Sequence, residues 1–147
     1  MRSLELAAEI AKPFEGLRLD AYHDPVGYPT IGYGHLLSRT PWAELSQWSP
    51  IDEHEAEVLL QQDMGSALSS VRRLISVPLT DEQEAALIDF AFNCGSGNLQ
   101  ASTLRRVINR GEFDQAPAQF MRWVYARNVK LPGLVRRRRA EAGMWSS

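Results

Sequence analysis

An abrupt change of pattern at Glu15-Gly16 limits what this chain can fold into. Before it, Leu4, Leu6, Ala7, Ile10, Ala11 and Phe14 recur at helical spacing, so a helix is expected up to about Phe14. Gly16 follows Glu15 directly, and a glycine just past a periodic run stops a helix. After it, Leu17–Tyr22 and Tyr28–Tyr33 are short runs with aromatic and β-branched residues, split by Asp24-Pro25-Val26-Gly27. Asp-Pro with a following glycine is turn chemistry, so the two runs predict a β-hairpin. On the returning strand, Thr30 and Gly32 should face one way and Ile31 and Tyr33 the other.

This junction also concentrates chemistry. Glu15 falls at the helix C-terminus, where the partial negative charge of the helix end favours the protonated acid. A general acid working near neutral pH needs that bias. Asp24 lies in the turn and Thr30 on the returning strand, so both can face the helix end. The expected result is a cleft with one acid on a helix and one carboxylate on a hairpin. Two carboxylates across a groove can break a glycosidic bond: one protonates the leaving oxygen, the other attacks the sugar carbon or activates water. Thr30 can hold that water. The plainer alternative is a solvated Glu15 and an ordinary turn aspartate.

The run EGLRLDAYHDPVGYPTIGYGH resembles, without a gap, the signature of bacteriophage-type lysozymes, glycoside hydrolase family 24. The resemblance implies Glu15 as general acid, Asp24 as catalytic carboxylate and Thr30 as water-positioning hydroxyl, with Tyr22 and Gly34 among the substrate-binding residues. It implies that His35 pairs with Asp63 on the following long helix. Further on, FNCGSGNLQASTL resembles the family's F-N-x-G…S-T-L segment, with Leu99-Gln100-Ala101 replacing its usual phenylalanine. Asn93 there either borders the cleft and binds an N-acetyl group or caps its helix. In the family an arginine of the C-terminal helix reaches the catalytic glutamate; Arg137 is the choice here, with Arg136 and Arg138 as alternatives. No second histidine or carboxylate stands at ligand spacing around His35, so no metal is expected there, and the resemblance implies activity without a cofactor.

Residues 38–50 hold two prolines and several serines and read as a loop. Trp42 and Trp48 within it either stack on sugars or pin the loop, and pinning is the preferred reading. A helix is expected from Ile51, with Asp52–Glu55 as its acidic first turn, to about Ile75. Ser76-Val77-Pro78-Leu79 breaks it, and Thr80 with Gln83 forms a capping-box start for a central helix that buries Ala86, Leu87, Phe90 and Ala91. Helices are expected over Leu104–Asn109 and Phe113–Val124, with Gly111 closing the first and the chain loosening near Asn128. Phe120, Trp123 and Val124 read as core. Pro132 can open a last helix, with Leu134, Arg137, Glu141 and Trp145 along one stripe.

Charge is uneven. Residues 1–100 hold 6 Lys+Arg against 15 Asp+Glu, and residues 101–147 hold 10 against 3. A basic half calls for an anionic partner or for pairing with the acidic half. Arginines 136–139 fan around their helix; beyond the one reaching the acid, they read as a solvated or nucleic-acid-binding patch, and no aromatics interleave them for single-strand stacking. Cys94 is the single cysteine, which excludes an internal disulfide, fits a reducing compartment and reads as a small buried apolar residue. The N-terminal stretch carries Glu5 and Glu9 and has no sustained apolar core, so no secretory signal or membrane span is expected.

The expected fold is α+β and lysozyme-like: one domain over 1–147, with a small β-hairpin lobe at about 15–50, a connecting helix at about 51–75, and a helical lobe at about 76–147 that includes the N-terminal helix. The implied function is an endolysin-type muramidase, hydrolysing the β-1,4 bond between N-acetylmuramic acid and N-acetylglucosamine in peptidoglycan for host lysis. Family members mainly invert, which needs the carboxyls roughly 6.5–9.5 Å apart. A non-catalytic peptidoglycan-binding module and a lytic transglycosylase are the alternatives. The expected setting is a monomer in the host bacterial cytoplasm, not inserted in membrane and not bound to nucleic acid, released to the wall by a holin.

Overall fold

The computed structural model describes residues 2–147; Met1, the first residue of the expected domain, lies outside them. The chain divides into two compact units, one running to Phe14 and resuming over Met64–Ser147, the other Glu15–Asp63. Among the described residues no helix is long and apolar enough to cross a membrane.

In the Glu15–Asp63 unit, strands β1 (Arg18–His23), β2 (Pro29–Gly32) and β3 (His35–Leu36) form an antiparallel sheet in that order. The hairpin follows the sequence pattern, while β3 is an addition. Gly32 and Gly34, at φ 69° and 77°, reverse the chain so that His35 and Leu36 pair with Ile31 and Thr30. All four residues of β2 are buried, as expected for the middle strand. A register shift between Arg18 and Tyr22 puts a bulge in β1. The 38–50 segment is a loop with one short 3₁₀ turn, Leu45–Gln47. Helix α2 (Glu53–Leu74) then starts on Asp52, whose Oδ1 accepts the Glu55 N–H at 2.7 Å. Asp52 is thus the cap rather than part of the acidic first turn.

The other unit is helical. It contains α1 (Arg2–Glu15) up to Phe14, α2 from Met64, and α3 (Asp81–Cys94), which opens on the expected Thr80–Gln83 capping box. Helices α4 (Ser96–Ala101) and α5 (Thr103–Asn109) follow, and α4 was not legible because glycine, serine and asparagine dominate it. The expected Phe113–Val124 helix is instead a 3₁₀ turn, Phe113–Gln115, and a short α6 (Ala116–Phe120). Next comes a hairpin of β4 (Tyr125–Ala126) and β5 (Val129–Lys130). Arg127 and Asn128 turn it at φ 50° and 65°, the left-handed pair a two-residue hairpin needs. Only Asn128 carried a turn signal. The core groups Phe90 with Phe120 and Trp123 edge-to-face at 5.9 and 5.4 Å, and Phe113 with Trp145 at 5.3 Å.

Helix α7 (Pro132–Trp145) corrects the reading of the arginine run. Arg136 and Arg139 are exposed, but Arg137 and Arg138 are core residues, 4% and 0% exposed. Arg137 grips Asp89 bidentately, Nε to Oδ2 at 3.0 Å and Nη2 to Oδ1 at 2.8 Å. Arg138 donates from Nη2 to Glu141 Oε2 at 2.9 Å and to Asn93 Oδ1 at 2.8 Å, with Nε 2.6 Å from Glu141 Oε1. Its Nη1 meets Cys94 Sγ. Cys94 is therefore half-buried beside a cation rather than a plain apolar core residue. Burial pushes its thiol up to about 11, so it stays protonated despite Arg138. These charges stabilise only as a complete set, because a buried ion stripped of its partner costs about 3–5 kcal/mol.

Glu141 binds its proton more tightly than a free carboxyl. Burial is the main cause, followed by a hydrogen bond with Asp89 and the charge of Asp89; Arg138 opposes them. The unfolded chain releases that proton near 4.5, so the stability it carries is complete below that pH and is lost as pH rises through the elevated folded value. Thermal melts should show wild type losing stability relative to Glu141→Gln as pH rises above 4.5. A gap independent of pH would contradict this.

Candidate active site

Helix α1 delivers Glu15 as its last residue, and Gly16 at φ 69° turns the chain into β1. The half-buried Glu15 carboxyl lies against Gly34. A Cβ on Gly34 would come within 2.5 Å of Glu15 Oε2 and 3.1 Å of its Cδ, closer than side-chain atoms tolerate. The left-handed φ of 77° favours glycine at 34, and a side chain there would make the Glu15 carboxyl move aside.

Asp24 is clasped by its own turn. Its Oδ1 accepts the N–H groups of Val26 at 2.9 Å and Tyr28 at 2.8 Å. Its backbone N–H donates to Tyr28 O and its carbonyl accepts from Gly27 N–H, both at 2.9 Å. The side chain is locked, with Oδ2 left for a water or a sugar hydroxyl. Thr30, 6% exposed, donates its hydroxyl proton to Tyr28 O at 2.9 Å. That leaves the oxygen's lone pairs to accept from a water.

Tyr22 ties these groups together. It stands opposite Thr30 in the β1–β2 register, which puts the two side chains on one face. Burial raises its phenol above the usual value, and the charge of Glu15 raises it further. Arg18, 4.3 Å from the ring centroid, pulls it back, and Asp24 adds a smaller push upward. One hydroxyl thus lies in the field of both carboxylates.

The remaining expected residues fall into two places. His35 Nδ1 lies 2.8 Å from Asp63 Oδ2 within the same unit, the side chains 24% and 33% exposed. Asn93 and Arg137 belong to the helical unit. Gly95, not Asn93, caps α3, and Asn93 Oδ1 is held by Arg138. Arg137 engages Asp89. Sequence reasoning passed over Asp89, named Arg138 only as an alternative to Arg137 and gave Glu141 no partner, although an aspartate inside the apolar run LIDFAF was a visible sign of a buried partner. Among the described residues no cluster of three His, Cys, Asp or Glu could hold a metal ion.

The exposure of the His35–Asp63 pair sets its worth. Denaturant titration of Asp63→Asn should show a loss of about 1 kcal/mol or less, as for partly exposed pairs. A loss above about 3 kcal/mol would be that of a buried ion pair and would contradict this.

Comparison with known proteins bears on the whole chain. The family model described as phage lysozyme matches residues 12–141, which include Glu15, Asp24 and Thr30. The endolysin of Acyrthosiphon pisum secondary endosymbiont phage 1 is 34% identical over 151 aligned residues, covering 100% of this chain and 99% of the relative. The endolysin of Bacillus phage B103 is 36% identical over 143 residues, covering 96% of this chain and 52% of the relative. Among solved structures, the muramidase domain of SpmX from Asticaccaulis excentricus matches with a TM-score of 0.81 at 29% identity, over 99% of this chain and 95% of that one. The chain belongs to the phage lysozyme family.

Proposed function

We propose that Glu15 is the proton donor and Asp24 the base in the hydrolysis of a peptidoglycan glycan strand. The protein is a muramidase of the endolysin type, acting on the bacterial cell wall in host lysis. In the proposed reaction Glu15 protonates the glycosidic oxygen as the bond breaks. Asp24 Oδ2 takes a proton from a water that Thr30 also holds, and that water adds to the sugar carbon. Tyr22 and Gly34, in the same unit as Glu15 and Asp24, contact the sugars. The observation that carries this assignment is geometric: within one unit the Glu15 carboxyl lies against Gly34, while Asp24 is clasped by its turn and Thr30 stands on the neighbouring strand. The clasp on Asp24 supports the base role, because it fixes one oxygen and leaves the other usable.

Domain organisation and setting form part of the proposal: one lysozyme-like domain, a monomer made in the host cytoplasm and released by a holin. Sedimentation at twice the chain mass, or lysis on expression without any membrane pore, would contradict the last two.

Turbidity of purified cell walls gives the test of mechanism. Glu15→Gln should lose on the order of 10³-fold in rate and Asp24→Asn a comparable amount, both remaining folded. Mass spectrometry of wild-type fragments should show reducing N-acetylmuramic acid ends. Anhydromuramic ends would replace hydrolysis by a transglycosylase reaction, and wild type that pellets with walls without clearing them would make the chain a binding module.

A further inference from the structure

We infer that Trp42 is a stacking plate for a pyranose ring of the glycan strand, beside the sugar engaged at Asp24. Trp42 is 66% exposed and its backbone sits at φ 61°, a conformation few residues other than glycine adopt. Both features cost free energy, and such outliers persist where the surroundings enforce them.

The surroundings do so here. The Trp42 N–H donates to Gly27 O at 2.7 Å. The indole lies so close over Gly27 that a Cβ there would sit 2.5–2.8 Å from Cε2, Nε1 and Cδ2. The His23 ring meets it edge-on at 5.1 Å, and His23 Nε2 lies 2.8 Å from Ala43 O, tying down the next residue. Gly27 closes the turn that clasps Asp24. An apolar ring is thereby displayed to solvent yet fixed to the segment that holds the proposed base.

Chemistry narrows the occupant to a saccharide. A hexopyranose presents a C–H face that complements the electron-rich face of an indole. A ring already fixed in place loses little freedom when a sugar settles on it. Its exposed neighbours Arg39, Thr40 and Glu44 offer donors and acceptors for hydroxyls and amides, beside the smaller apolar surfaces of Val26 and Pro41. This rests on the reading of the chain as a glycan-cleaving enzyme, whereas a purely loop-pinning Trp42 would need only its packing on Gly27.

The test separates stacking from packing. A soluble tetrasaccharide of alternating N-acetylglucosamine and N-acetylmuramic acid is titrated into Glu15→Gln protein, which leaves it uncut, with calorimetry as the readout. In that background Trp42→Ala and Trp42→Leu should each bind roughly five- to tenfold more weakly, and Trp42→Phe within about twofold of the parent. With Glu15 restored, Trp42→Leu should raise KM by a similar factor with kcat within about twofold. Leu keeps an apolar contact with Gly27, so Trp42→Leu binding as tightly as the parent overturns the proposal. So does tetrasaccharide binding by none of the proteins. Because the binding measurements use an inactive background, failure of wild type to cleave counts against the assignment of Glu15 and leaves the plate to be judged on binding alone.

Discussion

The Glu15 carboxyl rests on Gly34, where a side chain would displace it, and the proposed chemistry depends on that contact. Helix α1 must end at Glu15, the chain must reverse at Gly16, and β2 must hand over to β3 through Gly34 for the acid to lie where it does. A carboxyl on a free helix end would sweep through many rotamers. The contact with Gly34 removes part of that freedom. Fixing the donor in advance lets proton transfer proceed without a prior conformational search. Asp24 achieves the same end differently, with two backbone N–H groups holding one oxygen.

The helical unit solves a separate problem, that of burying charge. Arg137 and Arg138 could each leave the core only by unwinding α7, so they bring Asp89, Glu141 and Asn93 in with them. Hydrophobic residues of equal volume would serve stability as well or better. The network instead fixes which face of α7 meets α3, since a one-residue rotation of the helix would strand every charge. Burial and the neighbouring Asp89 raise the proton affinity of Glu141, and Arg138 opposes them.

Much of this was legible in the sequence because local rules and tertiary structure agree there. Gly16 as a stop, Asp24-Pro25 as a turn and Thr80–Gln83 as a capping box are decided within a few residues. The failures are non-local. The Arg127-Asn128 hairpin lacks the glycine that usually announces such turns, and strands of two residues carry no periodicity. The buried half of the arginine run was hidden because Asp89, which makes burial tolerable, lies 48 residues away. Glu15, Asp24 and Thr30 were nominated by spacing and resemblance, but the contact of Glu15 with Gly34 shows only in the fold: a missing side chain records nothing about what fills its place.

Turnover of purified peptidoglycan by Gly34→Ala tests the central contact most directly. The added methyl group must displace the Glu15 carboxyl, so the rate should fall by on the order of 10²-fold while the variant still melts cooperatively. A folded Gly34→Ala protein that clears cell walls at the wild-type rate would contradict the account, because the acid would then work equally well from another position.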